Sequence, residues 1–183
     1  MANWDRVKWT EAGQVGEMLG WPVALDGHGR EPPQTYFAKL RQDGRLQDAA
    51  YFLGQALPRY ETVVWAARVV QHLAGSSTAE ADARALGATQ RWVDDPSDPN
   101  RRAAFAAASG PAESTAAGLT ALAAFFSGGS MSVEGQPAVP PPRDAAGRFA
   151  AGAVIVAAVR SGDQATALNT ALDIGDMIAA QGL

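Results

Sequence analysis

Cysteine is absent from the 183 residues. That excludes disulfides, thiol catalysis and any cysteine-built zinc or iron–sulfur site. Histidine is scarce, with only His28 and His72. No long apolar run occurs: the most apolar stretch, Phe149 to Val159, is 11 residues between Arg148 and Arg160. A bilayer requires roughly 20, so no membrane span is expected and the stretch reads as a buried helix. A basic stripe is missing as well. Lys and Arg number 15 against 19 Asp and Glu, for a net charge of −4, and Arg101-Arg102 is the only basic dipeptide. Nucleic acid is therefore not an expected partner, because phosphate neutralisation needs clustered cations. The N-terminal Met-Ala-Asn-Trp-Asp-Arg has no apolar run behind its charges, so a secretory signal is not expected and the location is expected to be cytoplasmic.

What is present is alanine, helix punctuation and tryptophan. Hydrophobic residues make up 47% of the chain, and much of that fraction is alanine, which favours helices that approach closely. A chain of this length buries about 70% of its unfolded surface and needs no metal or disulfide to fold. Residues 1–33 stand apart: they hold Trp4, Trp9 and Trp21 and the loop-forming Asp26-Gly27-His28-Gly29-Arg30-Glu31-Pro32-Pro33. They are expected to form an arm with one short helix, about Thr10 to Leu19, packed on a helical domain of residues 34–183. Three tryptophans are costly to leave in water.

In the helical domain, Leu46, Ala49, Ala50, Leu53, Ala56 and Leu57 make an amphipathic stripe, and Pro58 ends that helix and opens the next. Gly75 is expected to stop the second of these, and Ser77-Thr78-Ala79-Glu80 has capping-box spacing. Asp98 is expected to cap a helix with Pro99 in its first turn, and Asp144 to cap another. Residues 127–143, ending in Pro140-Pro141-Pro142, are expected to be an irregular surface crossing. Strand alternation is not sustained anywhere, and Trp21–Leu25 is the one short candidate. The predicted fold is all-α, an irregular bundle of about eight or nine helices in antiparallel pairs with a Trp-rich N-terminal arm. No fixed-period repeat occurs. The small residues Ala145, Gly152, Ala153 and Gly175 are expected to allow tight internal helix packing.

Four segments carry a resemblance. They are Leu57-Pro58-Arg59-Tyr60-Glu61-Thr62-Val63-Val64-Trp65-Ala66-Ala67-Arg68, Trp92-Val93-Asp94-Asp95-Pro96-Ser97-Asp98-Pro99-Asn100-Arg101-Arg102, Phe125-Phe126-Ser127-Gly128-Gly129-Ser130, and the proline run leading to Ala151-Gly152-Ala153-Val154. Together they resemble an uncharacterised bacterial all-helical family, a domain of unknown function found near secretion-system genes, including type VI loci. The resemblance covers about Gln34 to Leu183. It implies a secretion-associated accessory protein and supplies no catalytic residues. Some members carry a twin-arginine label, which is not carried over because Arg101-Arg102 lies far inside this chain.

The candidate site is one face of the helix after Pro58. Glu61, Trp65, Arg68 and His72 fall at i, i+4, i+7 and i+11, with Arg59 at the entrance. A tryptophan framed by Arg and Glu suits a partner anchor. The same spacing suits a Trp65 packed under a neighbouring helix, with Glu61 and Arg68 paired at the rim, and helical stripes are more often core than site. His72 lacks a sequence-linked base or nucleophile and fits an interaction with helix-end carbonyls. Asp94, Asp95 and Asp98 lack the pattern of a calcium loop and read as turn residues, so neither metal nor cofactor is expected. The function expected is a non-enzymatic protein-binding adaptor or accessory protein, with another protein as partner. The alternative is a small-molecule-binding protein or enzyme using a pocket near Arg68 and His72, and self-assembly through the arm's tryptophans is a third possibility.

Overall fold

A computed structural model describes residues 3–22, 24–74, 79–133 and 135–183. Nine α-helices, two 3-10 turns and no strand occur among the described residues. The helices are α1 (Ala12–Leu19), α2 (Pro33–Gln42), α3 (Leu46–Ala56), α4 (Arg59–Leu73), α5 (Glu80–Asp94), α6 (Asp98–Ala108), α7 (Ala116–Phe126), α8 (Ala145–Arg160) and α9 (Gln164–Gln181). The strand candidate Trp21–Leu25 instead leads into a 3-10 turn at Leu25–Gly27. The Gly75 stop and the Ser77–Glu80 capping box rest on residues outside the described set. Among the described residues no helix is long and apolar enough to cross a membrane.

Several helix ends follow directly from local chemistry. Thr115 accepts the Gly118 N–H at 3.1 Å to open α7, and the Asp163 carboxylate accepts the Thr166 N–H at 3.1 Å to open α9. Gly44, at φ +72°, turns the chain between α2 and α3 in a conformation that favours glycine. Two expected caps differ. Ser97, not Asp98, holds the cap position of α6, and Asp98 is its first residue, turned towards Arg101 and Arg102. Asp144 does stand at the start of α8, yet its carboxylate accepts from the Arg148 guanidinium rather than from a backbone N–H. In both cases an arginine one turn along competes for the carboxylate with a charge-assisted bond.

α8 lies at the centre, packed against α3, α4, α7 and α9. Its buried positions are mostly alanine and glycine, including Gly147, Ala150, Ala151, Ala153 and Ala158. α3 and α4 are joined only by Leu57-Pro58, yet each lies against α8 and α9. Between them sits Trp65, completely buried, its indole Nε1 donating to the Ala171 carbonyl of α9 at 2.8 Å. Glycines admit that ring. A Cβ on Gly175 would stand 2.3 Å from Leu53 Cδ2 and 2.8 Å from Trp65 Nε1. At the α3–α8 crossing, a Cβ on Gly54 would be 2.9 Å from the Gly147 carbonyl, and one on Gly147 2.8 Å from the Gly54 carbonyl. Of the expected small-residue contacts, Gly175 is tight, whereas the nearest atom to a Cβ on Gly152 is Leu119 Cδ1, at 3.8 Å.

The arm is pinned to this bundle. Trp4 is buried against Phe37, with ring centroids 5.1 Å apart, and its Nε1 donates to Asp176 at 2.6 Å. The Arg6 N–H donates to the Ala179 carbonyl at 3.0 Å, and Trp21 stacks on Phe52 at 6.4 Å.

The two glycines make a paired prediction. Gly175→Ala forces a methyl against the rigid, hydrogen-bonded indole and should lower stability by about 1–3 kcal/mol. Gly152→Ala meets only ordinary contact in a helix interior and should raise stability by up to about 1 kcal/mol. Urea unfolding midpoints of the two variants against the parent check both signs.

Candidate functional site

The five residues expected to form one face do not form one site. Trp65 is fully buried, so it is a core residue and not a surface anchor. Glu61 is also buried, and its carboxylate accepts from Arg6 of the arm at 2.9 Å rather than pairing with Arg68. The reason is geometric: α4 is enclosed by α5, α7, α8 and α9, with Arg6 of the arm over Glu61, leaving only a narrow exposed strip. Arg68 and His72 occupy that strip, exposed and without a hydrogen bond or ion pair among the described residues. Among the described residues His72 makes no hydrogen bond to a helix-end carbonyl. Neither residue lines the cleft described next, or three others of comparable volume.

Arg59 is the member of the set that reaches a concave surface. A cleft of about 520 Å³ lies where the arm crosses the start of α4, the end of α3 and the start of α8. Lys8 and Trp9 come from the arm, Gln55 from the end of α3, Arg59 and Thr62 from α4, and Arg143 and Gly147 from the entrance of α8. Three of its lining residues are basic and none is acidic. Lys8 and Arg143 are exposed and make no hydrogen bond or ion pair among the described residues. Arg59 reaches only the Ser127 carbonyl, at 3.3 Å. Trp9, Met18 and Leu57 give the cleft an apolar wall.

The polar floor is built from helix starts. Pro58, at the head of α4, has no side-chain acceptor, and Asp144, at the head of α8, is turned away towards Arg148. The first-turn N–H groups of Arg59, Ala146 and Gly147 consequently have no acceptor among the described residues, and all three residues line the cleft. Orphan N–H groups and the positive end of the helix dipole favour an anion at such positions. Gln55 Oε1 is sealed beside Gly147 without a donor, and its Nε2 makes no hydrogen bond among the described residues. The only hydroxyl in the lining, that of Thr62, is already engaged, donating to the Gly54 carbonyl at 3.0 Å.

Arg143 is delivered to the cleft by a segment whose described residues, 127–133 and 135–143, are irregular as expected and tied down by Arg101. Arg101 is buried and donates to the Phe125 carbonyl at 2.8 Å, to the Ser130 carbonyl at 2.7 Å and to Asp98 at 2.6 Å, with its guanidinium over the Phe125 ring. Hydrogen bonds from Arg102 and Arg101 hold the Asp98 carboxyl below the usual carboxylate range. Among the described residues no three His, Asp or Glu side chains gather as a metal-binding set.

Residues 36–179 match the model of a family of unknown function, DUF6931. The chain belongs to that family. No curated protein and no solved structure matches it. The match begins inside α2, so Gln55, Arg59, Arg143 and Gly147 fall within the DUF6931 region, while Lys8 and Trp9 belong to the arm that precedes it.

The lowered Asp98 carboxyl has a stability consequence of definite sign. A carboxylate depressed in the folded state contributes stability that is present above its unfolded value, near pH 4, and is lost as pH falls through the folded value. Unfolding midpoints measured from about pH 6 down to about pH 2 should therefore fall more steeply for the parent than for Asp98→Asn. Asp98→Asn should be the less stable of the two at neutral pH.

Proposed function

We propose that this DUF6931 protein is a non-enzymatic accessory protein that holds an acidic segment of a protein partner in the basic cleft between arm and bundle. One observation carries the proposal. Three cations from three separate elements face one cleft with no carboxylate among its lining, in a chain whose net charge is −4. Such a local reversal of sign attracts and orients an anionic partner, and charge complementarity of this kind governs association rate and specificity. The apolar wall of Trp9, Met18 and Leu57 supplies area that a charged group alone would not use. A binding role rather than a catalytic one is favoured by the lining itself. It offers no histidine or carboxylate as a base, and its one hydroxyl is committed to a carbonyl. Within this proposal the partner belongs to bacterial secretion machinery, as the sequence resemblance implies, and the protein acts in the cytoplasm.

The test is fluorescence anisotropy with a labelled hexaglutamate peptide amidated at its C-terminus. The parent should bind it at low salt and lose affinity as ionic strength rises. The double variant Lys8→Glu, Arg143→Glu alters two exposed side chains without touching the core and should bind roughly tenfold or more weakly. An unchanged affinity in the double variant, or no binding by the parent, would overturn the proposal.

A further inference from the structure

Between Arg148 and Arg160, every residue of α8 that is not buried is apolar. Phe149, Ile155 and Val156 are half-buried, Val159 is 56% exposed, and Gly152 lies among them. α7 continues this surface, since the only residues of that helix that reach solvent are Leu119, Leu122 and Phe126. Phe126 stacks on Phe149, with ring centroids 5.0 Å apart. We propose that a second copy of the chain docks on this face, with α8 crossing its counterpart antiparallel about a twofold axis at Gly152. The proposal does not depend on the reading of the cleft.

A contact between two copies about a twofold axis requires a surface that is its own complement. α8 meets that requirement. Asp144 stands eight residues before Gly152 and Arg160 eight residues after it. Both lie on one ridge of the helix, the row Asp144, Arg148, Gly152, Val156 and Arg160 at intervals of four. When ridges of this kind align, at a crossing of about −50°, an antiparallel pair brings Asp144 of each copy to Arg160 of the other. Phe149 then meets Ile155, and Ala145 meets Val159. The two charges are available for this. Asp144 gives Oδ2 to Arg148, while its Oδ1 accepts no hydrogen bond among the described residues. Arg160 makes no hydrogen bond or ion pair among them. Arg148, which would otherwise crowd Val156 of the second copy, is drawn aside by Asp144 and by the Leu19 carbonyl at 2.8 Å.

Gly152 is the second observation. Gly54, Gly147 and Gly175 are required by close contacts inside the fold, but a Cβ on Gly152 would come no nearer than 3.8 Å to Leu119 Cδ1. Glycine in a helix interior weakens the helix relative to alanine, so the single chain gains nothing from it. At the crossing point of two copies, the missing side chain lets the helix backbones approach. A foreign amphipathic helix would not call for opposite charges at equal distances from that glycine. An anionic lipid surface would favour cations around the whole face, yet Asp144 borders it. The face is small: ten residues of α8 rise about 15 Å, and two packed helices span about 20 Å. Stable interfaces cover about 800 Å² per partner, so this dimer is a weak one.

Sedimentation equilibrium at low salt tests the proposal. The parent should show a monomer–dimer equilibrium with a dissociation constant of roughly 10–100 µM. Val159→Glu puts a charge into the apolar contact and should weaken the dimer about tenfold or more. Asp144→Lys and Arg160→Asp should each weaken it, because like charges then meet at both ends. An equimolar mixture of those two variants should recover the parental affinity, since lysine faces aspartate at one end and Asp144 faces Arg160 at the other. A folding defect in either variant could not produce that recovery. A parent still monomeric at about 0.5 mM, well above the expected range, would overturn the proposal. So would a dimer that Val159→Glu leaves unchanged, which would place the contact elsewhere, as at the arm's tryptophans. A mixture no tighter than its components would overturn it too. Pelleting of a monomeric parent with phosphatidylglycerol vesicles would assign the face to a lipid surface and overturn it likewise.

Discussion

The burial of Trp65 is the constraint on which the arrangement depends. A tryptophan with no exposed surface must both fill its space and satisfy its N–H, and here the Ala171 carbonyl does the second. The ring can occupy the junction of α3, α4, α8 and α9 only because Gly175 and Gly54 carry no side chain towards it. Gly54 in turn lies against Gly147, so the packing around the indole fixes how closely α3 and α8 cross. That crossing sets the start of α8 beside the end of α3. Since only Leu57 and Pro58 separate the end of α3 from α4, the first turn of α4 is brought to the same place.

The cleft is thus a product of core packing. Two helix starts meet there without side-chain caps, and an alanine- and glycine-rich contact leaves little between them. The arm completes the enclosure, fixed by the Trp4–Asp176 hydrogen bond on one side and the Arg6–Glu61 ion pair next to it. The Arg6–Glu61 pair also withdraws the one carboxylate in the first turn of α4 from the cleft's electrostatics. Arg101 performs a similar service at a distance: by saturating the carbonyls of Phe125 and Ser130 it holds the segment that ends at Arg143. Placement of a buried cation is costly unless its donors are filled, and here carbonyls and a carboxylate fill them.

Much of the architecture was legible in order along the chain. Pro58 and Pro99 mark helix limits because proline acts locally, through φ and a missing N–H. The caps were less legible. Asp98 and Asp144 each had an arginine within four residues, and a carboxylate cannot be assigned to backbone or guanidinium from spacing alone. The face from Glu61 to His72 shows the deeper limit. Helical periodicity groups residues by angle, but what covers each angle is decided by distant segments, and the arm and α9 covered Glu61 and Trp65. Lys8, Trp9, Gln55, Arg143 and Gly147 could not be grouped from sequence, because they lie on three distant stretches of chain that only the tertiary fold unites. The sole local hint was Pro58, which opens α4 without a side-chain cap.

The central claim is that Trp65 belongs to the core and that partners meet the protein at the cleft instead. The most direct measurement is a ¹⁵N NMR titration of the intact chain with a bound peptide, following the indole N–H signals and the backbone amides together. The account predicts shifts at the Trp9 indole and the Gly147 amide, with the Trp65 indole and the amides of Arg68 and His72 unmoved. Shifts confined to Arg68, His72 and the Trp65 indole, with Trp9 and Gly147 silent, would contradict it.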